Sequence, residues 1–181
     1  MSQLPEPLIH YAVAYALIAY STRRYKEAAI ASIAALLPDI DALFHIHRSA
    51  THSYAILIPI IILVIIAVSY RIPKYKNLAI SSSIALLTHP ILDAFQSPTP
   101  ILWPLIDKSI YFNISCWVLI EGSSIIPKIT SNISLEYVNT EFTSFKYLDA
   151  PLYTSEGVII AILIFIPTIA SIVRNLIKEG G

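Results

Sequence analysis

Long apolar stretches alternate with short polar ones along this chain. Residues 54–70, YAILIPIIILVIIAVSY, and 157–173, GVIIAILIFIPTIASIV, each run seventeen positions without a charge. About 20 apolar residues cross the ~30 Å hydrocarbon core of a bilayer, so both predict membrane spans. Residues 77–96, NLAISSSIALLTHPILDAFQ, predict another, with His89 and Asp93 near its end. Residues 4–21 predict a weaker span containing His10. The Ala-rich segment 27–37, EAAIASIAALL, is short enough to pass only partly through the membrane, packing on its neighbours through small side chains. Between 97 and 155 the pattern changes. Pro98, Pro100, Pro104 and Pro127 punctuate it, and the period-two runs SIYFNISCWVLIEG and NISLEYVNTEF predict strands. The expected architecture is an all-α polytopic membrane protein of about four or five transmembrane helices with a small β-rich extracytoplasmic cap. Residues 1–105 form the helical membrane domain, 106–155 the cap, and 156–181 a C-terminal transmembrane helix.

Composition agrees with this pattern. The 181-residue chain is 56% hydrophobic and 13% charged, against about 25% charged in an average soluble domain. Twelve basic and twelve acidic residues balance, which argues against a nucleic-acid partner. The single Cys116 permits neither an internal disulfide nor a cysteine metal cage. The start, MSQLPEPLIH, lacks the basic region of a cleavable signal peptide. Arg23, Arg24 and Lys26, then Arg71, Lys74 and Lys76, then Arg174 and Lys178 account for eight of the twelve basic residues. They fall in three short segments that share one side if the spans alternate, and basic segments stay in the cytoplasm. In a plasma (inner) membrane, segment 38–53, the far ends of the first and fourth spans, and the cap then lie outside. The Asn113-Ile-Ser115 and Asn132-Ile-Ser134 acceptor patterns agree with that side only weakly.

The polar residues of the membrane domain are concentrated. Residues 36–53, LLPDIDALFHIHRSATHS, hold Asp39, Asp41, His45, His47, Arg48 and His52. An ionisable residue in or at the edge of a membrane is a functional candidate by default. Two carboxylates as close as Asp39 and Asp41 repel unless a cation lies between them. His89 and Asp93, at i and i+4, share one helix face. Imidazole with carboxylate suits Zn, Mn or Fe better than Ca or Mg. Individually these residues have plainer readings. Asp39 could cap a short helix, His10 could pack through a hydrogen bond, and Arg48 could anchor at the interface. His45 and His47 alternate around Ile46, so only one need be a ligand. Trp103 and Tyr111 read as interfacial aromatics. The case rests on the set, with His10 and the opening stretch converging on one side with His89 and Asp93.

The order His10, L-P-D-I-D (37–41), H-R-S-A-T-H-S (47–53), H-P-I-L-D (89–93) and L-W-P-L (102–105) resembles the YdjM family of integral membrane proteins, described as metal-dependent hydrolases. The resemblance covers residues 10 to about 105. The chain departs from it at Ser49, where the family has Gly, and at Leu102 and Leu105, where it tends to Phe; His45 is extra to the pattern. The resemblance implies a metal set of His10, Asp39, Asp41, His47, His52, His89 and Asp93, with Asp41, Arg48 and Asp93 as catalytic candidates. A more distant similarity, to zinc-dependent phospholipase C and the P1-type nucleases, implies two or three divalent metal ions, zinc first and manganese or iron as alternatives, acting on a phosphoester.

The expected activity is therefore metal-dependent hydrolysis of a lipid or envelope phosphoester at the outer membrane surface, with membrane lipid and an amphiphilic substrate as partners. Two other readings stay open at this point. The His and Asp residues could form a metal or proton transport pathway, or a metal could simply staple helices together.

Overall fold

The computed structural model describes residues 6–46, 48–119, 128–142, 144–147 and 151–179. Five α-helices carry the fold: α1 (Pro7–Thr22), α2 (Tyr25–Ala31), α3 (Tyr54–Arg71), α4 (Lys76–Ala94) and α5 (Ser155–Glu179). Two strands, β1 (Lys108–Leu119) and β2 (Lys128–Asn139), pair antiparallel. Among the described residues, α3 and the Ser155–Asn175 part of α5 are long and apolar enough to cross a membrane. Ile60, Leu63, Ile66, Leu163 and Ile169 on these two helices are at least half exposed, as expected of side chains that face lipid.

The Ala-rich segment packs as its composition predicts. Ala28, Ala31 and Ala35 recur at helical spacing and meet Ala14, Ile18, Ala19 and Ala85 in a closed core. Small side chains let α1, α2 and α4 approach closely. After α2 the chain tightens into 3-10 turns at Ser32–Leu36 and Pro38–Phe44. Pro38 has no N–H to continue the i→i−4 ladder, and Ile40 N donates instead to Leu37 O at 3.1 Å. A further 3-10 turn, Ala50–His52, leads into α3.

Helix directions follow from specific contacts. Glu6, just before α1, accepts hydrogen bonds from the backbone N–H (3.1 Å) and the hydroxyl of Thr154, just before α5. Thr154 Oγ1 in turn accepts from Gly157 N at 3.1 Å and caps α5. Further along, Tyr15 packs on Phe165 at 5.3 Å and the Tyr25 and Ser171 hydroxyls lie 3.0 Å apart. Helices α1 and α5 are therefore parallel. Ser81 on α4 donates to Glu27 Oε1 at 2.9 Å, which places the start of α4 at the end of α1. One end of the bundle thus gathers Arg23, Arg24, Lys26, Arg71, Lys74, Lys76 and Arg174; the other gathers His10, the 38–53 turns, and the end of α4.

Among the described residues between 106 and 155 there is one hairpin, with irregular chain around it. Its register puts Ile110, Phe112, Ile114, Cys116 and Val118 on one face with Tyr137, Leu135, Ile133, Ser131 and Ile129. Phe112 stacks on Phe95 at the end of α4, 5.0 Å between centroids, while Ile114, Val118, Ile129 and Ile133 are exposed. The opposite face carries Asn113, Ser115, Asn132, Ser134 and Glu136. The sequence runs place both strands, but β2 begins earlier than NISLEYVNTEF, at Lys128.

Candidate metal centre

Four side chains from three segments converge at the polar end of the bundle. Asp39 comes from the Pro38–Phe44 turn, His52 from the Ala50–His52 turn, and His89 and Asp93 from one face of α4. One ligand-type atom from each lies within 4.8 Å of every other. His52, His89 and Asp93 are fully buried.

The far ring nitrogens are already committed. His89 Nδ1 lies 2.6 Å from Ala35 O, and a carbonyl can only accept, so that nitrogen carries the proton. A neutral His89 then presents a lone pair at Nε2. His52 Nδ1 faces Thr51 Oγ1 at 3.1 Å and Asp41 Oδ2 at 3.4 Å, which fixes the same tautomer and turns its Nε2 inward. The two Nε2 atoms are 3.0 Å apart. Asp39 Oδ1 lies 3.3 Å from His89 Nε2 and 3.7 Å from His52 Nε2. Asp93 Oδ2 lies 3.2 Å from His52 Nε2 and 3.6 Å from His89 Nε2.

These distances test whether a metal fits. Zinc bonds of about 2.0–2.1 Å in a tetrahedron put ligand atoms roughly 3.4 Å apart. The five separations above, 3.0 to 3.7 Å, bracket that value. Four such atoms facing one another suit a cation, and a second ring nitrogen held by a carbonyl or carboxylate is the usual arrangement of a metal-ligating histidine. The residues fit a divalent metal with mixed nitrogen and oxygen ligands.

Without a metal the cluster draws protons. Burial opposes protonation of His52, but hydrogen bonds to Asp39, Asp41 and Asp93 outweigh it and push its pKa up to about 10. Burial also opposes ionisation of Asp39, yet hydrogen bonds from His52 and His89 hold its carboxyl well below the usual range.

The other predicted residues surround this group. His10 on α1 stacks on His89 at 4.0 Å between centroids and places Nε2 3.2 Å from Asp93 Oδ1, so the two oxygens of Asp93 face different partners. Asp41 stands behind His52: Oδ2 accepts from Ser49 N at 2.8 Å and lies 3.0 Å from Thr51 Oγ1. Arg48 sends Nε to Asp93 Oδ2 at 3.2 Å, while its buried Nη2 has no hydrogen-bond partner among the described residues. His47 lies outside the described residues. His45 turns away, exposed, with its ring 5.9 Å from that of Phe145.

Backbone conformation explains the Ser49 departure. Ser49 has φ −83, which any residue adopts, and the left-handed position of this loop is Arg48, at φ 56. The L-W-P-L segment serves the turn from behind. Tyr54 N donates to Ile101 O at 2.7 Å, and the Ser53 hydroxyl reaches the Trp103 carbonyl. Trp103 packs edge-on against Phe142 at 5.2 Å. Sequence reasoning missed the supports. Thr51 and Ser53 lie within the H-R-S-A-T-H-S motif and could have been read from it, but the Ala35 carbonyl leaves no trace in a side chain.

Comparison with protein families finds a match over residues 7–174 to the family described as YdjM inner membrane protein. Neither the curated proteins nor the solved structures give a match to the chain.

Proposed function

The chain belongs to the YdjM family of inner membrane proteins, and on that premise we propose that it is a membrane-bound metal-dependent hydrolase of a lipid or envelope phosphoester. The observation that carries this reading is the pairing of four inward-facing ligand-type atoms with a buried guanidinium donor that has no hydrogen-bond partner among the described residues. A divalent metal held by Asp39, His52, His89 and Asp93 supplies Lewis acidity to a phosphoryl oxygen and brings the pKa of water towards neutrality. Arg48, its Nε fixed on Asp93, directs Nη2 at a phosphate oxygen. His10 places Nε2 beside Asp93 Oδ1, and its Nδ1 has no hydrogen-bond partner among the described residues, so its ring can hold a proton during turnover. Asp41 orients His52 and the 48–52 loop. A second or third ion would draw on His10, the second oxygen of Asp93, and Asp41. A guanidinium donor beside the four ligand atoms suits a phosphate oxygen, which favours a phosphoester over other hydrolysable bonds.

In this reading α1 and α4 join α3 and α5 in crossing the membrane, with α2 and its 3-10 continuation inserted part-way. The basic end is cytoplasmic; the metal centre and the hairpin face outside, and the hairpin's apolar face lies on the bilayer surface. A transport pathway would need ionisable groups deeper in the bundle. In α3 and α5 they occur only in the terminal turns, at Arg71, Glu156, Arg174, Lys178 and Glu179.

The test is elemental analysis of purified protein followed by phosphate or phospho-alcohol release from a panel of phospholipids and isoprenoid phosphates, with and without chelator. Chelator-sensitive release supports the proposal. No release from any substrate by folded, metal-loaded protein would leave a structural metal staple as the better account.

A further inference from the structure

An apolar groove of about 420 Å³ runs along the bundle between α3, α4 and the Ser32–Leu36 turn, walled by Leu37, Ile61, Val64, Val68, Leu78 and Leu86. We infer that it holds the acyl chain of a bilayer phospholipid whose phosphate sits at the metal centre; this rests on the hydrolase reading above.

Three observations bear on the occupant. First, groove and metal centre share one stripe of α4. Ala79, Ser82 and Leu86 line the groove, and His89 and Asp93 continue the same i, i+3, i+4 series into the ligand set. Leu37 likewise lies two residues before Asp39, and Ala34 beside the carbonyl that holds His89. Second, the walls offer a hydrocarbon chain little that is polar. The Ser83 hydroxyl returns to Ala79 O at 2.8 Å, and apart from Ser82 and Tyr75 the remaining walls are aliphatic. Third, the length is sufficient. From His89 to Leu78 is eleven residues of helix, about 17 Å at 1.5 Å per residue, against about 15 Å for one leaflet of the hydrocarbon core. A lipid with its phosphate beside Arg48 and His89 would lay one chain along this stripe, its end near Val64 and Ala79, before the basic turn at Lys74 and Lys76. Lipid tails are as apolar as the groove, so association there gains little from the hydrophobic effect. What the groove provides is position: it fixes the chain so that the phosphate reaches Arg48.

The experiment uses the full-length protein in phospholipid nanodiscs. The probe is a phosphatidylglycerol carrying a diazirine near the end of one acyl chain, with cross-links mapped by mass spectrometry. Labelling concentrated on Val64, Leu78 and Ala79 is expected. Ala79→Trp should remove most of it without changing metal content per chain, and Ser82→Phe serves if that variant does not fold. Turnover of the long-chain lipid should fall by roughly 10²-fold, the scale of a misplaced reacting group, while turnover of a soluble short-chain phosphoester stays as in the unaltered protein. Label spread evenly over the lipid-facing sides of α3 and α5 and unmoved by Ala79→Trp would overturn the inference. So would preferential groove labelling by a polyisoprenyl phosphate with the same diazirine, or cross-links to a second copy of the chain. Groove labelling with no turnover of any phosphoester would keep the chain site and remove it from a hydrolase. Turnover without groove labelling would do the reverse.

Discussion

Asp93→Asn is the sharpest perturbation of the site. The side chain is fully buried, and its oxygens lie 3.2 Å from His10 Nε2, Arg48 Nε and His52 Nε2. Asn keeps the volume and can still accept from Arg48, but it removes a charge and a strong metal ligand. Loss of a group that merely supports a ligand costs 10–100-fold in metal affinity, so loss of a ligand should cost at least about 100-fold, or about 2.7 kcal/mol. In the metal-free protein the cost is the weakening of the charge-assisted contacts to His10, Arg48 and His52, the hydrogen bond from Arg48 alone accounting for about 1.5–3 kcal/mol. The roughly 100-fold loss of metal affinity should therefore come in addition to a loss of metal-free stability. The assay pairs competition with a chelator of known affinity against thermal unfolding of the metal-free form. Arg48→Lys supplies the contrast, because it keeps the positive charge but loses the planar fork. It should leave metal content near that of the unaltered protein and raise KM for a phosphoester. In a purely structural site Arg48→Lys would change little and Asp93→Asn would mainly lower Tm. Unchanged metal affinity in Asp93→Asn would refute the assignment of this carboxylate as a ligand, and with it the four-residue centre.

Further expectations follow from the same geometry. With His52 raised to about 10 in the folded, metal-free protein and about 6.5 when unfolded, its contribution is fully present below pH 6.5 and is lost as pH rises through 10. Metal-free stability should thus decline across that window by up to about 1.4 kcal/mol per pH unit, while metal-loaded protein should not show the decline; equal curves in unfolding measurements would contradict this. Asp39, held low, contributes stability above its unfolded pKa of about 3.9 that is lost only as pH falls through the folded value. For topology, in a Cys116→Ser background a cysteine at Ser131 should react with an impermeant thiol reagent in intact cells and one at Lys74 should not; the opposite pattern would invert the protein. A Cβ at Gly157 would overlap the Glu6 carboxylate, so Gly157→Ala should displace Glu6 from Thr154. That loss, about 1 kcal/mol or more, opposes the gain of up to about 1 kcal/mol from Ala over Gly in a helix. In a Glu6→Ala background only the gain remains, and a double-mutant cycle by thermal unfolding would detect the difference.

What the sequence disclosed depended on periodicity and on side chains. The apolar runs of α3 and α5 carry their own signal, and the i, i+4 spacing of His89 and Asp93 is enough by itself to put both on one helix face. The 38–53 turns were less legible. Proline and paired acids announce a break in the helix, but not that Asp41 would face the loop backbone while Asp39 faces the histidines. That division is set by a 3-10 geometry in which residues two apart diverge. Likewise the left-handed conformation lies at Arg48, although the sequence departs from the family at Ser49. The region after 105 gave its strands through alternation. Among the described residues those two runs form one hairpin.

Charge counting gives the centre its remaining logic. Asp39, Asp41 and Asp93 bring three carboxylates to the site, and Arg48 faces Asp93. Burying carboxylates is costly unless opposite charge faces them. A proton on His52 and a divalent cation would each supply such charge, so a bound cation would compete with that proton and metal binding would weaken as pH falls. The burial pattern then indicates how such a cation would be reached. His52, His89 and Asp93 are completely covered, whereas Asp39 keeps about a fifth of its side chain exposed and Arg48 about a tenth. A staple gains from closure on every side, and structural sites are closed. Here the opening falls beside Asp39 and beside the guanidinium whose Nη2 has no partner among the described residues, so the approach to the centre would run past a group suited to receive an anion.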